Sequence, residues 1–158
     1  MSAPIVDKIK ALLDDEGVAY RSLDHAPTHT SEESAQVRGE DLAIGAKAIV
    51  MKAGTAFSLF VISAAQKLDS KKIKKHLGVK KTRFATRDEL SALTGLVPGS
   101  VPPFGRPIFD LDLYTDPSVF THDRVAFNAG ALTHSIIMQS EDYKRIAKPM
   151  VFSFSASE

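Results

Sequence analysis

Cysteine is absent from the sequence, which excludes disulfide staples, thiolate metal sites and cysteine nucleophiles and leaves the fold to rest on its core. An excess of one charge is absent too. Twenty Lys and Arg face 19 Asp and Glu, a formal net charge of +1, so affinity for a nucleic acid has to come from a local patch. Long apolar runs are also missing: stretches such as Ala48 to Met51 and Leu59 to Ala65 fall far short of the roughly 20 residues that a membrane-spanning helix needs. The start, Met1-Ser2-Ala3-Pro4-Ile5, turns directly into an amphipathic pattern without the basic stretch and apolar core of a secretory signal. The expectation is a cytoplasmic protein with no membrane partner. No internal repeat or linker interrupts the chain. Its 158 residues, 44% hydrophobic, are enough to bury one core, so a single domain over residues 1–158 is expected.

What is present reads as a mixed α/β pattern. Ile5, Ile9, Leu12 and Leu13 recur at helical spacing behind Pro4, which suits a first helical turn, and Gly17 supplies a stop. Tyr20 to Leu23 reads as a strand that enters a loop at His25-Ala26-Pro27-Thr28-His29. Thr30 and Glu33 have capping-box spacing for a short helix running to Val37 before Gly39. Lys47 to Lys52 and Ala56 to Ala64 form two β-rich runs with glycine in the turn between them, a hairpin signature. Asp69 caps a basic helix ending at Gly78, and Thr86 with Glu89 opens another that Gly95 closes. Ile108 to Leu113, Val125 to Asn128 and Ser135 to Gln139 read as strands, Ser140 to Ala147 as a helix, and Val151 to Phe154 as a last strand. Helices interspersed among hairpin-like strands point to a mixed sheet rather than a regular doubly wound one.

Three features could carry chemistry. The segment Gly95 to Gly105 holds three glycines and three prolines, so main-chain N–H groups are both accessible and rigidly aimed, as binding of a carbonyl or oxyanion requires. A structural crossover has the same composition, and spacing does not separate the two. Lys47 heads an apolar strand, where its ammonium could meet a phosphate or developing negative charge; a surface lysine at a strand end is the plainer reading. Lys71, Lys72, Lys74 and Lys75 cluster on one helix, a pattern that fits a phosphate backbone or a solvated helix face. His25 and His29 are close in sequence but lie across a proline, and no ligand-like carboxylate pair accompanies them, so a zinc site is not expected. No Gly-x-Ser-x-Gly elbow occurs, which disfavours covalent serine hydrolysis.

In order along the chain, Lys47-Ala48-Ile49-Val50, Thr94-Gly95-Leu96-Val97-Pro98-Gly99-Ser100-Val101-Pro102-Pro103-Phe104-Gly105 and Phe127-Asn128-Ala129-Gly130 resemble the YbaK/ProX family. That family comprises editing domains inserted in, or freestanding relatives of, bacterial prolyl-tRNA synthetase. The resemblance implies a curved mixed β-sheet surrounded by helices. It also implies hydrolysis of the ester between an amino acid and the terminal adenosine of tRNA, without metal or cofactor. Lys47 matches the family's strand lysine, whose implied role is to hold the phosphate or ribose end of the acceptor. Gly99 and Ser100 fall where backbone N–H groups would meet the ester carbonyl. Asn128 matches a polar position lining the amino-acid pocket, with Tyr20, His25 and His134 as further candidates to face it. A ribose hydroxyl of the substrate would help to activate water, which explains the lack of an acid–base dyad. Ala48 stands where alanine-specific relatives tend to carry asparagine, and the loop resembles the YeaK-like branch, which implies serine, threonine or alanine as the amino acid. The implied partners are mischarged tRNA, rather than DNA, and an aminoacyl-tRNA synthetase. A second reading keeps the fold as a module that holds tRNA or a synthetase without hydrolysis.

Overall fold

A computed structural model describes residues 4–156, so the expected domain of residues 1–158 extends at both ends beyond the described residues. Helix α1, Ile5–Asp15, buries Ile9 and Leu13 completely, and Pro4 precedes the helix rather than occupying its first turn. Strand β1 spans Tyr20–Asp24. In helix α2, Ser31–Arg38, the Thr30 hydroxyl accepts from Glu33 N–H at 3.1 Å and caps the start. Strands β2, Ala46–Ala53, and β3, Ala56–Ser63, form the expected hairpin in continuous antiparallel register from Ala46↔Ser63 to Ala53↔Ala56. Helix α3, Ser70–Leu77, starts where Asp69 accepts from Lys71 N–H. After the short strand β4, Thr82–Phe84, helix α4, Arg87–Thr94, carries a complete capping box: Thr86 and Glu89 each accept from the other's N–H. Strand β5 spans Asp112–Thr115, β6 Arg124–Asn128 and β7 His134–Gln139; helix α5, Ser140–Ala147, and strand β8, Met150–Val151, complete the order.

The strands form two sheets. One is antiparallel, β1-β7-β6; the other is mixed, β4-β2-β3-β5-β8, with β5 parallel to both neighbours. A bridge between Gly45 and Ala126 connects them. Val50, Leu59 and Val61 on one face of the mixed sheet join Ile9, Leu13, Phe127 and Ile136 in the main core. The opposite face carries Met51, Phe60 and Ile62 under Ile73 of α3 and Phe154. Strands of period 2 explain this division, because alternate side chains leave the sheet on opposite sides.

Two expected strands are displaced. The apolar run Ile108 to Leu113 is not a strand: Ile108 and Phe109 N–H both bond the Gly105 carbonyl, and β5 begins only at Asp112. Phe109 and Leu111 are apolar because the turn itself inserts them into the core. The last strand ends at Val151 instead of running to Phe154, because the Asp116 carboxylate captures the N–H groups of Phe154 and Ser155 in place of a neighbouring strand.

The loop after α4 is fastened from beneath. Phe104 packs edge-on against Phe127 and Tyr143, and the buried Tyr143 hydroxyl donates to the Pro103 carbonyl at 2.7 Å. Burial pushes the Tyr143 phenol up, so it remains a donor throughout the physiological range. Tyr143→Phe leaves that carbonyl unpaired and is expected to cost about 1–2 kcal/mol. A lowered urea midpoint with an unchanged slope would show it; an unmoved midpoint would mean that the loop holds itself.

Candidate active site

The three motifs meet at a cleft of about 260 Å³, lined by the start of α2, the first residues of β2 and the turn at Pro98-Gly99. Val97 to Ser100 forms a tight turn in which Ser100 N–H donates to the Val97 carbonyl at 3.1 Å and Gly99 adopts φ +88°. Proline second and glycine third is what a type II turn demands, since its third residue must take positive φ. The Ser100 hydroxyl, also buried, donates to the Val97 carbonyl and accepts from Val97 N–H. Ser100 is thus a staple of the turn. Its N–H is committed, and it does not line the cleft as the expected second oxyanion donor. Gly99 does line it, and its N–H has no acceptor among the described residues.

The Asn128-Ala129-Gly130 segment explains itself against this turn. Asn128 Nδ2 donates to the Gly99 carbonyl at 2.7 Å, and Gly130 N–H donates to the Ser100 carbonyl at 2.9 Å. A Cβ on Gly130, at φ +92°, would stand 2.8 Å from the Ile5 Cβ, so glycine is required both by conformation and by space. The second and third motifs are therefore one hydrogen-bonded unit.

Lys47 lines the cleft, partly buried, and forms no ion pair among the described residues. Burial lowers its ammonium below the ordinary lysine value, and Glu32 pulls it partly back. Arg38, which the sequence pattern did not single out, lies at the same cleft with 8% of its surface exposed. Its Nε donates to Ser135 Oγ at 2.9 Å and its Nη2 to Asn128 Oδ1 at 3.0 Å, and no carboxylate pairs with it among the described residues. Desolvation brings its guanidinium down to about 10, still cationic at neutral pH. Two positive side chains, neither in an ion pair among the described residues, converge on one small cleft, an arrangement suited to anionic oxygens.

His25 stands behind this cluster. Its Nδ1 faces the Ala26 carbonyl, which only accepts, so Nδ1 carries a proton, and its Nε2 lies 2.8 Å from Ser135 Oγ. Tyr20 and His134 are not brought to the cleft. The Tyr20 hydroxyl donates to Asp14 of α1 at 3.0 Å. His134 pairs with Asp24 and Ser22 across β1 and β7, while its neighbour Ser135 points the other way to Arg38. The contact with His134 holds the Asp24 carboxyl below its ordinary value.

The basic helix lies outside the cleft but on a related surface. Lys47, Ile49 and Met51 alternate onto one face of the mixed sheet, the face that α3 covers through Ile73. Lys71 and Lys75 are exposed there, whereas Lys72 reaches back to the Ser155 carbonyl at 2.7 Å.

Residues 25–146 match the aminoacyl-tRNA editing domain, which is most of the chain. The chain belongs to the aminoacyl-tRNA editing domain family. It is 37% identical over 153 residues, 93% of its length and 90% of the relative's, to the multifunctional Ser/Thr-tRNA deacylase ProXp-y of Escherichia coli strain K12. It is 26% identical over 153 residues, 94% and 93% of the two chains, to the prolyl-tRNA editing protein ProX of Acetoanaerobium sticklandii. A solved candidate trans-editing enzyme for prolyl tRNA synthetase superposes with a TM-score of 0.85 over 99% of this chain and 100% of that one; at 22% identity this speaks for the fold. The YbaK/ProX resemblance and the mixed α/β architecture expected from the sequence therefore both hold. No helix among the described residues is long and apolar enough to cross a membrane.

Proposed function

We propose that this editing domain is a trans-acting deacylase that hydrolyses the ester of mischarged tRNA, with seryl- and threonyl-tRNA as preferred substrates. The observation that carries the reading is the meeting at one cleft of Lys47, Arg38 and Gly99, whose N–H has no acceptor among the described residues. The ester carbonyl sits at Gly99 N–H, and Lys47 holds the phosphate or ribose of the terminal adenosine. Water adds to the carbonyl carbon with help from a ribose hydroxyl, and the negative oxygen formed is stabilised by the N–H and the nearby cations. Collapse breaks the bond to the ribose oxygen, which takes up a proton, releasing the free amino acid and the uncharged tRNA end.

The lining supports a small hydroxylated side chain. Thr28, Ser31 and Ser34 line the cleft, and its volume falls below the roughly 300–1,000 Å³ typical of sites for drug-sized ligands. A pocket that bonds a substrate hydroxyl discriminates far better than one that merely accommodates a methylene, where about 1–3 kcal/mol is the rule. The exposed lysines of α3, Lys71 and Lys75 foremost, supply a track for the acceptor phosphates.

The direct experiment is release of labelled amino acid from seryl-, threonyl-, alanyl- and cysteinyl-tRNA. Seryl and threonyl esters are expected to be cleared fastest. Equal clearance of alanyl-tRNA would remove the hydroxyl preference, and tRNA binding without release from any ester would replace the deacylase with a binding module.

A further inference from the structure

Helix α2 buries the wrong residues for an ordinary amphipathic helix: Ser34 and Arg38 are inside, while Val37 is 43% exposed. Thr30, Ser34 and Arg38 follow one another at four-residue spacing, so a polar stripe faces the cleft. A buried cation with no counter-ion among the described residues is a cost that core packing does not explain. Its partners do. The guanidinium is purely a donor, whereas the Asn128 amide has an oxygen end and a nitrogen end that could be exchanged. By donating to Oδ1, Arg38 forces Nδ2 to the opposite side, where it donates to the Gly99 carbonyl.

We propose that Arg38 is a positioning residue of the deacylation site: it orients Asn128, and Asn128 fixes the Gly99 turn so that the Gly99 N–H stays available to the ester carbonyl. The inference rests on the deacylase reading for its catalytic consequence, but the relay from Arg38 to Gly99 is a separate physical claim. Ser135 supports it, taking Nε of Arg38 and offering a 3.3 Å contact to Asn128 Oδ1. Ser100 N–H and the Gly130 bond hold the turn from its other side.

Asn128→Asp is the informative variant. A carboxylate satisfies Arg38 at least as well as the amide does, yet it has no proton to donate to the Gly99 carbonyl. The expected result is a fold as stable as the wild type or more so, with kcat lower by roughly 10- to 100-fold and KM within about threefold. Arg38→Gln is expected to lower kcat comparably, and to displace the Gly99 and Ser100 amide resonances in the direction that Asn128→Ala displaces them. Full kcat in Asn128→Asp would overturn the proposal, because a merely structural contact predicts that outcome. Unmoved Gly99 and Ser100 resonances in Arg38→Gln would overturn it as well. The resonances report on the relay even if the wild-type chain clears no ester, so failure of the deacylase reading and failure of the relay give different results.

Discussion

Lys47→Ala is expected to lower kcat/KM for deacylation by about 10²- to 10³-fold, the scale on which a single preorganised charge acts on a developing oxyanion or its neighbouring phosphate. The loss should come with almost no loss of stability. Lys47 is partly buried and has no ion pair among the described residues, so burial of its charge in the cleft is offset only in part, by the more distant Glu32. Its ammonium is lowered by burial, and the sign of the linkage follows. The folded state binds this proton less well than the unfolded state, so the charged lysine opposes folding at neutral pH and ceases to do so as pH rises past the unfolded value. Removing it therefore leaves thermal stability unchanged or slightly raised. The same lowering sets the pH profile: activity that depends on the ammonium should fall on the alkaline side earlier than an unperturbed lysine would dictate. The Ala variant should lack that limb once spontaneous ester hydrolysis is subtracted. Lys47→Arg keeps the charge in a different shape and should recover only part of the rate. Turnover near the wild-type level in Lys47→Ala would remove the lysine from the mechanism, whatever the fold.

The helix boundaries were legible because they are written in local chemistry. Thr86 with Glu89, and glycine at positions 39, 78 and 95, act on backbone groups within a few residues, so their effect survives any tertiary arrangement. Lys47, Gly99 and Asn128 were legible through the ordered motifs, and the structure gathers all three at one cleft. What could not be read depends on partners distant in the chain. Strand β4 has three residues in a basic stretch and no apolar alternation; it exists because Met51 to Ala53 of β2 offer it an edge. Tyr20 and His134 lie on strands where one step of register chooses between cleft and far face, and that choice is made by the β1–β7 pairing. Arg38 escaped notice because hydrophobic periodicity searches for apolar faces, and α2 turns a polar one inward. The signal available was the stripe of Thr30, Ser34 and Arg38 itself, joined to the absence of any apolar stripe that could dock the helix. Ser100 shows the converse limit: its place in the motif marks the loop correctly, but only the turn geometry shows that its N–H is already taken.

Asp116→Ala is expected to be the most destabilising single change outside the hydrophobic core. This carboxylate, 2% exposed, accepts from Ser118 N–H through Oδ2 and from Phe154 and Ser155 N–H through Oδ1, at 2.7–2.9 Å. Bonds to a charged group are worth about 1.5–3 kcal/mol each, but three that share one anchor do not add, so a loss of about 3–5 kcal/mol follows. That is a large fraction of the roughly 5–15 kcal/mol that holds a domain together. Asp116→Asn keeps an oxygen for Phe154 and Ser155 but sets an amide donor against Ser118 N–H, so it should cost less than the Ala change. The consequence reaches the basic helix. The Phe154 carbonyl accepts from Asp69 N–H, and the Ser155 carbonyl accepts from Lys72, so the segment that Asp116 holds in turn holds the first turn of α3. In Asp116→Asn the amides at the start of α3 should exchange faster and KM for tRNA should rise, while kcat on bound substrate stays near the wild-type value, because Asp116 does not line the cleft. An unchanged unfolding midpoint in Asp116→Ala would mean that Phe154, packed edge-on against Phe60, docks the segment unaided. A fall in kcat in Asp116→Asn, with KM unmoved, would mean that the α3 face of the mixed sheet, on which Lys47 also lies, transmits the change to the cleft.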